Sequence, residues 1–267
     1  WAIDWPIRYK DIAPWYDHVE KFIGVNGSLE GLEQLPDGHF LPAMQMNCVE
    51  KDVSDRIKKH YNNARHMIIG RSANLTAPIP GRTQCQFRNR CWEGCPFGGY
   101  FSTQSSTLPA AMKTGNLTVR PFSIVTKILY DKNTRKATGV EILDAETHQT
   151  YEYYAKVVFV NASALNSAWV LMNSATDIWP DGLGSSSGEL GHNIMDHHYN
   201  LGASGKVEGY EDKYYFGRRP NGIYIPRFTN LFGDKRDYIR GFGYQGAAGR
   251  EGWSRNIAEL SIGGKFK

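Results

Sequence analysis

Three cysteines fall within eleven residues, Cys85, Cys91 and Cys95, in the arrangement C-x5-C-x3-C with Pro96 directly after the last. Three thiolates on one short loop suit a soft iron centre, because polarisable sulfur ligands favour iron–sulfur chemistry over the binding of hard cations. Arg88 and Arg90 lie between the first two cysteines, where they would offset the negative charge of such a centre. Zinc would want a fourth ligand, and the neighbouring sequence offers no obvious one. The same residues also read as free thiols, buried or simply reduced, so the loop alone leaves both readings open. With Cys48 the chain has four cysteines, too few and too clustered for a disulfide scaffold.

A second candidate is the turn Asn161-Ala162-Ser163-Ala164, which follows the apolar run Val157–Val160 and precedes Leu165, Trp169 and Met172 at helical spacing. In open α/β sheets ligands sit beyond the carboxyl ends of strands, where small residues admit a cofactor to the backbone and a helix N-terminus favours anionic groups. Small residues also serve plain strand-to-helix packing, and the local pattern does not separate the two. Gly182 to Gly188 has the spacing G-x-G-x-x-x-G after Trp179-Pro180-Asp181, so it reads as a loop and not as a dinucleotide fingerprint. His192, His197 and His198 lack the carboxylate–histidine spacing of a metal site and read as polar loop histidines.

The elements that position these residues follow from periodicity. Ile12, Trp15, Tyr16, Val19, Phe22 and Ile23 recur at helical spacing, with Asp11 as the expected N-cap, Pro14 in the first turn and Gly24 as the stop. A second helix opens at Asn47 with Glu50 in capping-box position, and its expected buried stripe is Val49, Val53, Ile57 and Tyr61. Residues 25–46 and 70–103 are rich in Gly, Pro and Asn and read as long loops, which inside a compact chain are functional or lie against another part of the protein. Residues 124–130, 137–143 and 150–160 read as a β-meander whose last strand, ending in Val157–Val160, is expected to be buried on both faces. Beyond Pro180 short strands are expected near 198–206, 222–228, 238–244 and 257–262, forming a mostly antiparallel unit.

With 31 basic against 27 acidic residues and no basic run interleaved with aromatics, nucleic acid is not an expected partner. No stretch of 18 apolar residues occurs, so no membrane span is expected. The chain begins Trp1-Ala2-Ile3 without Met, as a processed or cut chain does, and a missing leader therefore says nothing of a cytoplasmic or periplasmic home. Asn26, Asn74 and Asn116 open N-x-S/T sequons.

Several segments, in order, resemble the glucose-methanol-choline (GMC) oxidoreductases. Gly115–Val119, Ile124–Leu129, Ala137–Glu141 and Val157–Ala164 are similar to the core of the family's flavin domain. Trp5-Pro6 and the helix after it, and Leu190-Gly191-His192-Asn193-Ile194-Met195-Asp196-His197, resemble segments on either side. The resemblance implies an α/β (α+β) fold: a partial FAD-binding, Rossmann-like domain with a β-meander, plus a mostly antiparallel substrate-domain sheet and helices. It implies residues 85–177 as part of the FAD-binding domain, residues 1–84 as N-terminal helices with a substrate-domain or lid segment, and residues 178–267 as substrate-domain material. Val125 would meet the adenine end of FAD through its backbone, and Asn161, Ala162 and Ser163 would approach the flavin. The family's usual glycine is expected where Ala162 stands.

The cysteine spacing resembles that of bacterial flavin-dependent sugar dehydrogenases, in which Cys85, Cys91 and Cys95 would hold a three-iron, four-sulfur cluster. The implied function is oxidation of the CH–OH group of an alcohol, a sugar or polyol, by hydride transfer to flavin, with an electron-acceptor subunit such as a cytochrome. The family's C-terminal histidine base has no match here, so no catalytic residue is assigned; the upstream G-x-G-x-x-G fingerprint is also missing. The chain thus reads as an internal portion of an enzyme, expected by itself to be inactive and to hold no stoichiometric FAD. The competing readings are a β-rich, aromatic-lined carbohydrate- or partner-binding module and an iron–sulfur electron carrier.

Overall fold

The computed structural model describes residues 4–196, 201–213 and 219–250. In chain order its elements are α1 (Tyr9–Ile23), α2 (Cys48–His60), β1 (Ile68–Ile69), α3 (Thr107–Lys113), β2 (Ser123–Asp131), β3 (Lys136–Asp144), β4 (Thr150–Tyr154), α4 (Ser163–Asn173), β5 (Ile223–Ile225) and β6 (Tyr244–Gly246), with single 3-10 turns at Cys91–Glu93 and Ser185–Ser187. They fall into two compact units, Trp1–Asn116 with Gly205–Lys267, and Leu117–Ser204. Each holds one three-stranded antiparallel sheet, β1-β5-β6 in the first and β2-β3-β4 in the second.

In the first unit α2 opens as its sequence requires. Asn47 Oδ1 accepts from the Glu50 N–H at 3.0 Å, and Glu50 Oε2 accepts from the Asn47 N–H at 2.9 Å. Its buried side is not the expected apolar stripe: Glu50 and Ser54 are buried, while Val49, Val53 and Ile57 are half-buried and Tyr61 is exposed. The reason is hydrogen bonding. Ser54 Oγ donates to the Met67 carbonyl at 2.7 Å, beside β1, and the Glu50 carboxylate takes both Nη1 and Nη2 of Arg219 at 2.7 Å.

Helix α1 begins at Tyr9, so Asp11 sits in the first turn and accepts from the Arg8 N–H at 2.8 Å, and Pro14 falls inside the helix. Gly24 closes it in the left-handed region, at φ 78°, as glycine does most easily. No residue of α1 is buried. Its apolar side is exposed, led by Trp15 and Tyr16.

The two long loops knit this unit together. Asn26, fully buried, gives its Nδ2 to Ser72 O at 2.9 Å, Ser72 Oγ at 3.0 Å and Asn74 O at 2.7 Å. The buried side chains of Met44, Met67, Ile68, Ile69 and Leu75 belong to this unit's core. Two of the three sequon asparagines, Asn26 and Asn74, are therefore interior residues, whereas Asn116 is exposed.

The second unit is the expected meander with a helix on it. Ladder pairing runs from Ser123↔Asp144 to Asp131↔Lys136 between β2 and β3, and from Leu143↔Thr150 to Gly139↔Tyr154 between β3 and β4. Asp131 shapes the first hairpin turn by accepting from the Asn133 N–H and the Thr134 hydroxyl, at 2.9 and 2.7 Å. Gly139 is dictated by space: a Cβ there would come within 2.1 Å of the Tyr153 carbonyl oxygen. Past α4, Ser174 Oγ accepts from the Ile128 N–H at 2.8 Å and donates to Val170 O at 2.7 Å, tying the helix to β2 over a core of Ile128, Ile142 and Val170.

Three expectations are corrected. β4 ends at Tyr154, and Val157–Val160 forms no ladder; Val157 is 64% and Phe159 79% exposed. A strand buried on both faces sits inside a sheet that is covered on each face, and among the described residues nothing pairs with this run. Residues 201–206 carry no strand, and β6 lies at the end of the expected 238–244 run. The strand expected near 257–262 lies outside the described residues, as do His197 and His198.

Candidate functional site

The turn at residues 161–163 heads α4 in the second unit. Ala162 is the N-cap residue at φ −93°, and its side chain makes no capping hydrogen bond to the helix. The left-handed residue is Ser163, at φ 68°. The position that favours glycine is thus one residue later than the sequence reading placed it. Ser167 clamps the turn, its Oγ accepting from the Ala162 N–H at 3.1 Å and donating to Val160 O at 3.4 Å. Asn161, Ala162 and Ser163 are exposed, and their small side chains leave the backbone approachable. Such an end can receive an anionic or flat group against its backbone.

Val125 sits near the start of β2, opposite Ile142. The pairing shifts between Val125 and Lys127, so Thr126 forms an irregularity, held by its hydroxyl to Glu141 Oε1 at 2.8 Å. A bulge of this kind re-aims the strand at its end. Val125 and the turn thus belong to the two elements, β2 and α4, that pack on each other in this unit.

The cysteine loop lies in the first unit. Cys85, Cys91 and Cys95 line one pocket, together with Phe97 and Tyr100. None forms a disulfide. Among the described residues no three His, Cys, Asp or Glu side chains converge on a point that would hold a single metal ion. Cys85 Sγ accepts from the Phe87 N–H at 3.4 Å, yet burial, with the nearby Cys91 and Cys95, pushes its thiol above the usual range. Cys95 goes the other way. Burial works against its ionisation, but the N–H groups of Tyr100, Phe97 and Gly99, with the Arg88 guanidinium, outweigh it and hold the thiol below its ordinary value.

Arg82 is the residue that sequence reasoning missed. Only 5% exposed, it donates Nε to Gly98 O at 2.8 Å and Nη1 to Ile23 O at 2.7 Å, while its buried Nη2 has no partner. Its charge acts on Cys95. The site therefore holds a buried cation with unused donor capacity near a thiol whose pKa is held below its ordinary value. Nothing in the local sequence marks Arg82, which lies outside the cysteine spacing and whose partners come from α1 and the loop beyond Pro96.

Residues 3–199 match the profile of the GMC oxidoreductase family. The chain is 30% identical over 256 residues to 2-methyl-1,2-propanediol dehydrogenase of Mycolicibacterium austroafricanum, covering 91% of this chain and 43% of that protein. It is 26% identical over 202 residues to the fructose dehydrogenase large subunit of Gluconobacter japonicus, covering 73% and 35%, and 25% identical over 194 residues to 6'''-hydroxyparomomycin C oxidase of Streptomyces lividus, covering 72% and 35%. The chain spans less than half the length of these relatives. By the profile and by the first relative alike, the chain belongs to the GMC oxidoreductases, a family of FAD-dependent enzymes.

Proposed function

We propose that this chain is part of an enzyme that oxidises the CH–OH group of an alcohol, a sugar or polyol, and passes the electrons by way of a cluster on the cysteine loop to an acceptor subunit such as a cytochrome. The observation that carries the reading is the β2-β3-β4 meander followed by the exposed turn at 161–163 and the uncapped start of α4. FAD, when bound, supplies the acceptor for the hydride that leaves the alcohol carbon. Residues of this chain would hold it: the backbone at Val125 toward the adenine end, and Asn161, Ala162 and Ser163 at the flavin. The uncapped α4 amides favour negative charge there. The exposed Val157–Val160 run fits the same reading, as a strand that gains its neighbours in the intact enzyme. In this proposal residues 85–177 contribute to the FAD-binding part, and 1–84 and 178–267 to the remainder.

Cys85, Cys91 and Cys95 would hold a three-iron, four-sulfur cluster, which when bound supplies a one-electron relay. Thiolates that ligate different iron atoms need not converge on one point, which agrees with three cysteines around one pocket and no single-ion site among the described residues. The unpartnered Nη2 of Arg82 and the amide groups on Cys95 supply the positive surroundings that an anionic cluster needs. The relatives named as a diol dehydrogenase and a fructose dehydrogenase large subunit support the substrate class and the acceptor subunit.

No catalytic base is assigned, and the 267-residue chain by itself is proposed to bind no stoichiometric FAD and to turn over no alcohol. Anaerobic iron–sulfide reconstitution of the chain, followed by a visible spectrum and iron analysis, tests this. The expected result is cluster absorbance without flavin absorbance, lost in a triple Cys85→Ser, Cys91→Ser, Cys95→Ser variant. Equal iron in both proteins would make the cysteines structural thiols. Purification as a yellow flavoprotein would show that the chain alone is a competent FAD binder, and a colourless protein under all conditions favours the binding-module reading.

A further inference from the structure

Arg82, Arg88 and Arg90 all belong to the cysteine loop or its approach, and they differ in what surrounds their charge. Arg90 lies 3.7 Å from Glu93, with its side chain 62% exposed. Arg88 holds its guanidinium over the Phe97 ring at 5.5 Å and is exposed as well. Arg82 is buried, and among the described residues no carboxylate pairs with it; the charge that acts on it is that of Cys95.

Burial decides which of these charges is felt. Two unit charges interact about four times more strongly at an effective dielectric constant of ~20 than in bulk water at ~80, and exposed charges are screened further by salt. A carboxylate beside Arg82 would cancel its charge. With none there, its field acts on the loop uncancelled.

The fold also holds that charge at a fixed place. Arg82 Nε donates to Gly98 O at 2.8 Å, on the return of the cysteine loop, and Nη1 to the carbonyl of Ile23, the last residue of α1, at 2.7 Å. The Gly98 N–H in turn donates to Cys95 O at 3.1 Å, so a single residue links the guanidinium to the cysteine. That residue has to be glycine. Its φ is 62°, and a Cβ there would stand 3.1 Å from Arg82 Cγ and 3.4 Å from Arg82 Cβ.

We propose that Arg82 is a positioning residue for the cluster on the cysteine loop, its fixed and uncompensated charge raising the potential at which the cluster accepts an electron. The inference rests on the cluster reading given above. Reduction, by flavin in the proposed enzyme or by dithionite in the test, adds one electron and therefore one negative charge. No proton follows it at Arg82, which stays protonated. A buried cation close by favours the more negative state, because net charge and its surroundings set the potential of such centres. Arg82 is 5% exposed, so it acts by its field and not by contact.

The test is a dye-mediated redox titration of the anaerobically reconstituted chain, read from its visible spectrum, in wild type, Arg82→Gln, Arg82→Lys and Arg90→Gln. Arg82→Gln is expected to make reduction about tenfold less favourable, a potential lower by about 59 mV for one electron. Arg82→Lys keeps the charge and should stay near the wild-type potential. Arg90→Gln removes an exposed charge and should shift the potential less than half as far as Arg82→Gln. An unchanged potential in a loaded Arg82→Gln chain overturns the inference, and so does an equal fall in Arg82→Lys, which would make geometry and not charge the cause. Loss of iron, or of the wild-type circular dichroism, in both Arg82 variants makes the residue a structural clamp of the loop and overturns it too. Iron uptake by Arg82→Lys but not by Arg82→Gln supports it, as the countercharge without which an anionic cluster is not retained. Failure of the cluster reading is distinct: it shows in the wild type, as iron uptake that ignores the cysteines, and overturns both.

Discussion

Replacing Glu50 with glutamine asks whether α2 is held by charge or by ordinary packing. The carboxylate is 2% exposed and accepts four hydrogen bonds: Arg219 Nη1 and Asn47 N on Oε2 at 2.7 and 2.9 Å, and Arg219 Nη2 and Ala248 N on Oε1 at 2.7 and 3.1 Å. Glutamine keeps one acceptor and puts an NH₂ group where the other stood, so two donors then face a donor. Arg219, 15% exposed in its side chain, is left with its charge uncompensated. Removing one partner of a buried pair costs about 3–5 kcal/mol, a large part of the roughly 5–15 kcal/mol that stabilises a domain.

The assay is urea unfolding followed by circular dichroism. With a slope of about 2 kcal/mol per molar, a loss of that size moves the first unit's midpoint down by about 2 M. The difference should shrink in acid. Burial alone would raise the Glu50 pKa, but the bonds from Arg219, Asn47 and Ala248 outweigh it and hold the pKa below the ordinary 4.5. The stability it contributes is therefore complete above that value and drains away as pH falls through the lower, folded-state pKa. A loss below about 1 kcal/mol at neutral pH, the level of an exposed ion pair, would refute the reasoning. So would a Glu50→Gln difference that is independent of pH.

Two further outcomes are expected from the second unit. Ser163→Gly should stabilise it by up to about 1 kcal/mol, since left-handed strain of roughly 1–2 kcal/mol is relieved against a glycine entropy cost of about 0.5–1 kcal/mol; a lower melting temperature in the variant would contradict the φ of 68°. Asp144 is held well below the usual carboxylate range by the Thr147 N–H, the Arg120 guanidinium at 2.7 Å and the Glu146 N–H. Its contribution is full above pH 3.8, its ordinary value, and is lost only as pH falls through the depressed pKa. Asp144→Asn should accordingly flatten the acid limb of melting temperature against pH. An unchanged limb would mean that the carboxylate titrates normally.

Local chemistry was legible in the sequence wherever both partners are close along the chain. The Asn47–Glu50 box and the Gly24 stop each depend on neighbours a few residues apart, and each stands as expected. The cysteines meet at one pocket for the same reason. Long-range partners were not legible. The apolar stripe of α2 obeys helical periodicity, but Arg219, far along the chain, turns the helix onto its polar side. Arg82 reaches Ile23, with no local pattern to announce it. The Val157–Val160 run failed for another reason, since composition reports what a strand prefers and not whether its neighbours are at hand.

The interior position of Asn26 also decides how the chain can be made. Its Nδ2 carries three hydrogen bonds, and this is the atom to which an N-linked glycan is attached. A eukaryotic secretory host modifies sequons on the emerging chain, before such bonds can form, so a sugar at Asn26 or Asn74 would occupy space that the folded unit has already filled. The glycan tolerated by this fold is the one at exposed Asn116. Production in a host without that pathway, or with Ser28 and Thr76 replaced by alanine, separates the folding of this chain from the machinery that would mark it.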